Sequence, residues 1–155
     1  MYRISKRFDF SASHQLEGLP EGHPCGRLHG HNYSVELFLE ASGLDKTGFV
    51  RDYGELSKFK TWLDGTFDHR HLNDIMDQPT AELLAHSIYE VTATWYPELS
   101  AVKVSETPKT SAYYSPEVLS IEDRVIAVFE NLASEPGANR EQLCNALETI
   151  LAPHA

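Results

Sequence analysis

Between Tyr2 and His14 the apolar and functional side chains fall on even positions: Tyr2, Ile4, Phe8, Phe10, Ala12 and His14. A period of two marks a strand with one buried face. From His29 to Leu39 the odd positions repeat the pattern, with His29, His31, Tyr33, Val35, Leu37 and Leu39 on one face. Asn32, Ser34, Glu36 and Glu40 fall mostly on the other. The two segments predict an antiparallel pair. The connection Gln15–Leu28 contains Gly18, Pro20, Gly22, Pro24 and Gly26, which makes it a loop, and loops of this length in compact domains are often functional.

Farther along, Phe49–Arg51 reads as a short returning strand. Asp52 and Glu55 have capping-box spacing ahead of Leu56, Phe59 and Leu63, which predicts a helix ended by Gly65. A second helix is predicted after Pro79–Thr80, with Leu84, Ile88, Val91 and Trp95 on one stripe and Pro97 closing it. Val102, Val104 and Glu106 then alternate on a strand, Thr107–Thr110 turns, and Ser111–Tyr114 returns. The order β-β-α-α-β-β predicts an α+β domain over residues 1–115, a four-stranded antiparallel sheet with two helices on one face. Residues 116–155 read as a helical extension. Ile121, Val125, Val128 and Leu132 make one stripe there, and Leu143, Leu147 and Ile150 another, with Glu135–Ala138 between them as the turn of a helical hairpin.

Composition narrows the function classes. The chain has 155 residues, 41% hydrophobic and 23% charged, which is ordinary for a soluble globular protein. A net charge of −10 argues against a nucleic-acid surface, which needs a basic stripe, and favours a small-molecule partner. The first ten residues have no apolar segment like that of a signal peptide, and no apolar run is long enough to span a membrane. A cytoplasmic protein is expected, in which Cys25 is a reduced thiol and not half of a disulfide with Cys144.

Four histidines and a cysteine lie between His14 and His31, and this density of ligand-type side chains suggests a zinc site. His29 and His31 are two apart and leave one face of a strand together; antiparallel pairing brings His14 beside them. Gly30, between them, keeps the other face clear for close packing. His23 sits between Gly22 and Pro24 with no strand to aim it. Three imidazoles leave a position open, as catalytic zinc sites do; the alternative is a closed structural site completed by Cys25. A thiol near a divalent cation and Arg27 is suited to act as base or nucleophile. Asp68–His69, between the predicted helices, is a second acid–base unit. Glu106 ends an apolar alternation, where a carboxylate is costly unless paired. It is suited to hold a ligand's N–H groups in a bidentate way, or else to pair with Lys103 or Lys109.

Six stretches carry a family resemblance: Phe10–His14, Pro20–Tyr33, Gly48–Leu56, Asp68–Asp74, Pro79–Glu82 and Val104–Thr107. Through them the chain resembles the 6-pyruvoyltetrahydropterin synthase superfamily and, by the three-residue gap between Cys25 and His29, its 6-carboxytetrahydropterin-forming branch. The resemblance implies the tunnelling fold, in which trimers close a barrel and two trimers stack as a homohexamer. It implies zinc on His14, His29 and His31, a catalytic group of Cys25, Asp68 and His69, and Glu106 anchoring a pterin ring in a pocket lined by Thr80 and Glu82. The implied reaction, in queuosine biosynthesis, takes 7,8-dihydroneopterin triphosphate to 6-carboxy-5,6,7,8-tetrahydropterin, acetaldehyde and triphosphate. A pyruvoyl-forming or aldolase-like enzyme, or a non-catalytic zinc-containing assembly protein, are the alternatives. Two departures stand out: relatives commonly carry a lysine where this chain has Ser105, and an arginine where it has Ser115–Pro116. Arg27, Arg51 and Lys109 are then the candidates to meet a triphosphate.

Overall fold

In chain order the elements are β1 (Tyr2–His14), β2 (His29–Ala41), α1 (Ser57–Thr66), β3 (Arg70–His71), α2 (Ala81–Ala93), β4 (Leu99–Thr107) and β5 (Thr110–Tyr114). They come from a computed structural model that describes residues 1–116. β1 and β2 pair antiparallel along their whole length, from Tyr2 opposite Ala41 to His14 opposite His29. Even residues of β1 therefore share a face with odd residues of β2: Phe8 lies opposite Val35 and Phe10 opposite Tyr33. That face is the core. Phe8, Phe10, Tyr33, Val35, Leu37 and Leu39 are all buried, and each large apolar side chain so buried contributes about 1.5–3 kcal/mol.

β4 continues the sheet beside β2, and β5 folds back on β4. Both helices close over the core. Phe59 of α1 meets Phe8 edge-on with ring centroids 4.9 Å apart, and Leu84, Ala85 and Ile88 of α2 join the same cluster as Val102 and Val104. The four long strands and two helices are those the alternation predicts. A fifth strand is added: β3 runs parallel to the end of β1, with Arg70 beside Ala12 and His71 beside Ser13, giving a mixed sheet in the order β3-β1-β2-β4-β5. Two residues are too few to carry a period.

Three local expectations are corrected. Phe49–Arg51 is not a strand, because Asp45 Oδ1 accepts hydrogen bonds from the Thr47 and Phe49 amides and the Thr47 hydroxyl, folding that segment into a turn. Asp52 does cap, but it accepts from the Gly54 amide at 2.7 Å and opens a 3-10 turn, Tyr53–Leu56, before α1 begins. Gly65 does not end α1, which runs on to Thr66 and closes with Phe67 N–H donating to Leu63 O. α2 starts as expected, with Thr80 Oγ1 accepting from the Leu83 amide, and stops at Ala93, before Pro97. The helical hairpin expected of the extension lies, from residue 117 onward, outside the described residues. No helix among the described residues is long and apolar enough to cross a membrane.

Leu37 is fully buried at the centre of the sheet. Leu37→Ala is expected to cost about 2–5 kcal/mol by leaving a cavity, read as a lower urea midpoint of the circular dichroism signal; an unchanged midpoint would contradict this core assignment.

Candidate metal centre

The register that builds the core also ends it in histidine. His14 and His29 face each other across the last pair of β1 and β2, and His31 stands opposite Ala12 one step in on the same face. One ring nitrogen from each of the three lies within 4.8 Å of those of the others. His14 is buried; His29 and His31 are half-buried.

Two backbone carbonyls fix the chemistry of the rings. His14 Nδ1 is 2.8 Å from Pro79 O, and His29 Nδ1 is 2.7 Å from Arg27 O. A carbonyl oxygen only accepts, so both Nδ1 atoms carry a proton, and in the neutral ring each Nε2 presents a lone pair. Those two Nε2 atoms are 3.0 Å apart. Facing lone pairs repel unless a proton or a cation sits between them, so the donor set fits a metal ion. Imidazoles whose second nitrogen donates to a carbonyl are the usual form of metal-ligating histidine. Burial holds the His31 pKa below its ordinary value; the neighbouring His14 and His29 push the same way, against the opposing charge of Glu106. A neutral ring is the form that binds a metal.

Cys25 is a free thiol on a short turn, Pro24–Gly26, outside this group of ligand atoms. Its backbone is pinned to the site all the same. Cys25 O accepts from the Leu16 amide at 2.9 Å, two residues beyond His14, and His23 Nδ1 accepts from the Cys25 amide at 3.2 Å. His23 thus caps the turn that carries the cysteine. Among the described residues no fourth side chain joins the three imidazoles.

Glu106, Thr80 and Glu82 line one cavity of about 180 Å³ together with Leu16. Thr80 caps α2 and Pro79 holds His14, so one helix start serves both the cavity and the imidazoles. Tyr33, fully buried, has its ring centroid 5.9 Å from that of His14 and 5.5 Å from that of His31. Burial, and then the charge of Glu106, push its pKa upward. Arg27 lines a loop hollow that also contains Glu17 and Glu21.

Asp68 and His69 are anchored elsewhere, on Ser11. Asp68 Oδ1 accepts from the Ser11 amide at 2.8 Å, Ser11 O accepts from the His69 amide at 2.6 Å, and Asp68 Oδ2 holds His69 Nδ1 at 2.8 Å. His69 has φ of +56°, a left-handed conformation that costs a non-glycine residue about 1–2 kcal/mol. These bonds hold it, and such strain clusters at functional sites. No hydrogen bond among the described residues joins either residue to Cys25. Ser11 belongs to the alternation opposite Ala12 and His14, so the pair borders the polar face of the sheet. Arg51 is far away. It pairs with Glu98 and Glu55 and borders a hollow with Tyr2 and Arg3, about 40 Å along β1 from His14.

Several contributors have no signal in the sequence pattern. The Pro79 and Arg27 carbonyls are backbone groups that any residue type would supply. Arg70 and His71 lie beside β1 only through a pairing of two residues.

Comparison with known proteins follows the same residues. A model of the 6-pyruvoyl tetrahydropterin synthase family matches residues 3–117. The 6-carboxy-5,6,7,8-tetrahydropterin synthase of Synechocystis is 35% identical over 130 residues, covering 76% of this chain and 97% of that one. The protein of the same name from Bacillus subtilis is 30% identical over 130 residues, 75% of this chain and 86% of its own. The dihydroneopterin monophosphate aldolase of Pyrococcus furiosus is 40% identical over 90 residues, 57% of this chain and 72% of its own. Among solved structures, the 6-pyruvoyl tetrahydropterin synthase of Caenorhabditis elegans superposes with a TM-score of 0.67 at 26% identity, covering 75% of this chain and 96% of that one.

Two measurements probe this geometry. Metal analysis of the purified protein is expected to give about one divalent ion per chain, and His29→Ala to bind it at least about 100-fold more weakly in a chelator competition. The Ser11 amide and His69, in that order, lower the Asp68 pKa. A lowered carboxyl pKa adds stability above the ordinary carboxyl value near 4 and loses it only as pH falls through the lowered one. Protection of the Ser11 and His69 amides, taken relative to intrinsic exchange at each pH, should therefore persist through the ordinary carboxyl range and fall only at more acid pH; in Asp68→Asn that acid-dependent step disappears.

Proposed function

The chain belongs to the 6-pyruvoyl tetrahydropterin synthase family, and from that premise we propose that this pterin-metabolising lyase is zinc-dependent and converts 7,8-dihydroneopterin triphosphate and water to 6-carboxy-5,6,7,8-tetrahydropterin, acetaldehyde and triphosphate. The observation that carries the reading is the pair of Nε2 lone pairs 3.0 Å apart, at the end of the sheet that also bears Glu106. His14, His29 and His31 would hold the ion. An all-imidazole set with no methionine or carboxylate suits zinc. When bound, zinc supplies Lewis acidity toward the oxygens of the substrate side chain.

The remaining roles fall to the chain's own groups. The Glu106 carboxylate accepts N–H donors of the pterin ring, a bidentate interaction that fixes the ring's orientation, and Thr80 and Glu82 wall the same cavity. The Cys25 thiol and the imidazole of His69 take up and return protons on the substrate side chain. Asp68 holds Nδ1 of that imidazole, which leaves Nε2 to exchange the proton. The free edges of β1 before Phe10 and of β5 support closure by neighbouring copies, and we assign the working enzyme as a homohexamer, a dimer of trimers. Its place is cytoplasmic queuosine biosynthesis.

A second reading has an observation of its own, the 40% identity to an aldolase acting on dihydroneopterin monophosphate. Products separate the two. Zinc-loaded protein incubated with 7,8-dihydroneopterin triphosphate is expected to release acetaldehyde in step with 6-carboxytetrahydropterin. Release of glycolaldehyde phosphate from dihydroneopterin monophosphate, with no acetaldehyde from the triphosphate, would replace the first reading by the second. Cys25→Ala should lower kcat by about 10²–10⁴-fold and keep its zinc; loss of zinc in that variant would make the cysteine a ligand.

A further inference from the structure

With net charge −10, most of this protein repels anions, yet one hollow does not. At the histidine end of the sheet, Ser11, Ser13, Asn32, His69, Arg70 and His71 line an open depression of about 530 Å³, which His31 of the imidazole group also borders. None of its lining residues is a carboxylate. The adjoining Asp68 has both oxygens engaged, one by the Ser11 amide and one by His69. Among the described residues Arg70 enters no ion pair, as is also true of Arg27, Lys103 and Lys109, whereas Arg3, Arg7, Arg51 and Lys60 each have an acidic partner.

One pair here can present a donor. Ser13 Oγ lies 3.2 Å from His71 Nδ1. With the serine donating, the imidazole proton sits on Nε2, which is free to reach a ligand. Other sites are poorer. The adjacent hollow contains Ser105, but there Arg7 and Lys103 are offset by Asp9 and Glu36. The loop hollow sets Arg27 against Glu17 and Glu21, and Arg51 is consumed at the far end of the sheet.

The geometry points to a phosphate subsite at this hollow, in which the Arg70 guanidinium pairs with phosphate oxygens and His71, backed by Ser13, donates a further hydrogen bond. Arginine is suited to the role because its planar fork matches two phosphate oxygens at once. The assignment of those phosphates to a pterin substrate rests on the function proposed above; the affinity of the hollow for phosphate does not.

Two arms test this, both on the full chain. In calorimetry with inorganic triphosphate alone, the wild type is expected to bind. Arg70→Ala should bind at least about tenfold more weakly, the loss of one charge-assisted contact, and Arg70→Glu not at all. Lys103→Ala, in the neutral hollow, should bind as the wild type does. Equal affinity in wild type and Arg70→Glu, or a loss confined to Lys103→Ala, overturns the subsite. In the second arm, Arg70→Ala raises KM for 7,8-dihydroneopterin triphosphate by more than it changes kcat, and leaves the affinity for phosphate-free 7,8-dihydroneopterin unaltered. Triphosphate binding through Arg70 without any turnover would sink the lyase reading and keep the subsite. Turnover with a KM indifferent to Arg70→Glu would do the reverse.

Discussion

Everything at the functional end of this molecule depends on the register of β1 against β2. In a strand pair a slip of one residue turns every side chain to the opposite face. Here a slip would expose Phe8 and Phe10 and break up the three imidazoles in one step, so the energy that buries the core also aligns the ligands. Gly30 is part of that constraint. A Cβ at its position would lie 3.1 Å from the Ala12 carbonyl, so the residue between His29 and His31 is small because the neighbouring backbone comes close.

Register brings the rings together, but it does not decide which nitrogen faces inward. That is done by two carbonyls from outside the strand pair, one at the start of α2 and one in the loop that carries Cys25. The consequence is a coupling between parts that are distant in sequence. The Thr80 cap fixes the first turn of α2 and so the direction of the Pro79 carbonyl; the Cys25 turn hangs from Leu16, and Arg27 follows it. Disturbing either segment would rotate an imidazole without touching a ligand. Rings held in a fixed orientation are the expected product of such support.

The long strands, the two helices and the histidine triad were legible because each rests on a period that spans several residues. Alternation over thirteen positions of β1 leaves little choice of face. What escaped rests on interactions with no period. The turn at Asp45 is made by one side chain, the continuation of α1 through Gly65 reflects hydrogen bonding that outweighs the glycine's weak helical preference, and β3 is a pairing of two residues. Asp68–His69 was visible as a dipeptide, but its seat on Ser11 was not, since that depends on β3 bending back toward β1. The helical extension offers clear stripes in sequence and lies outside the described residues.

One alternation also resolves an electrostatic conflict. Under the proposed function the site has to neutralise phosphate, hold a cation and seat a hydrogen-bonding pterin ring within a few residues. A guanidinium placed among the three imidazoles would raise the cost of bringing in a metal, because like charges in a partly desolvated space repel strongly. The strand separates the demands by parity. Ala12 and His14 turn to the core side, where burial lowers the pKa of the neighbouring His31, and Ser11 and Ser13 turn to the polar side, beside the exposed Arg70. Asp68 stands at the boundary with both oxygens engaged, one by the Ser11 amide and one by His69. On this view the acidic character of the rest of the surface works with the hollow, because an anion finds one place on this end of the sheet where no unpaired carboxylate opposes it.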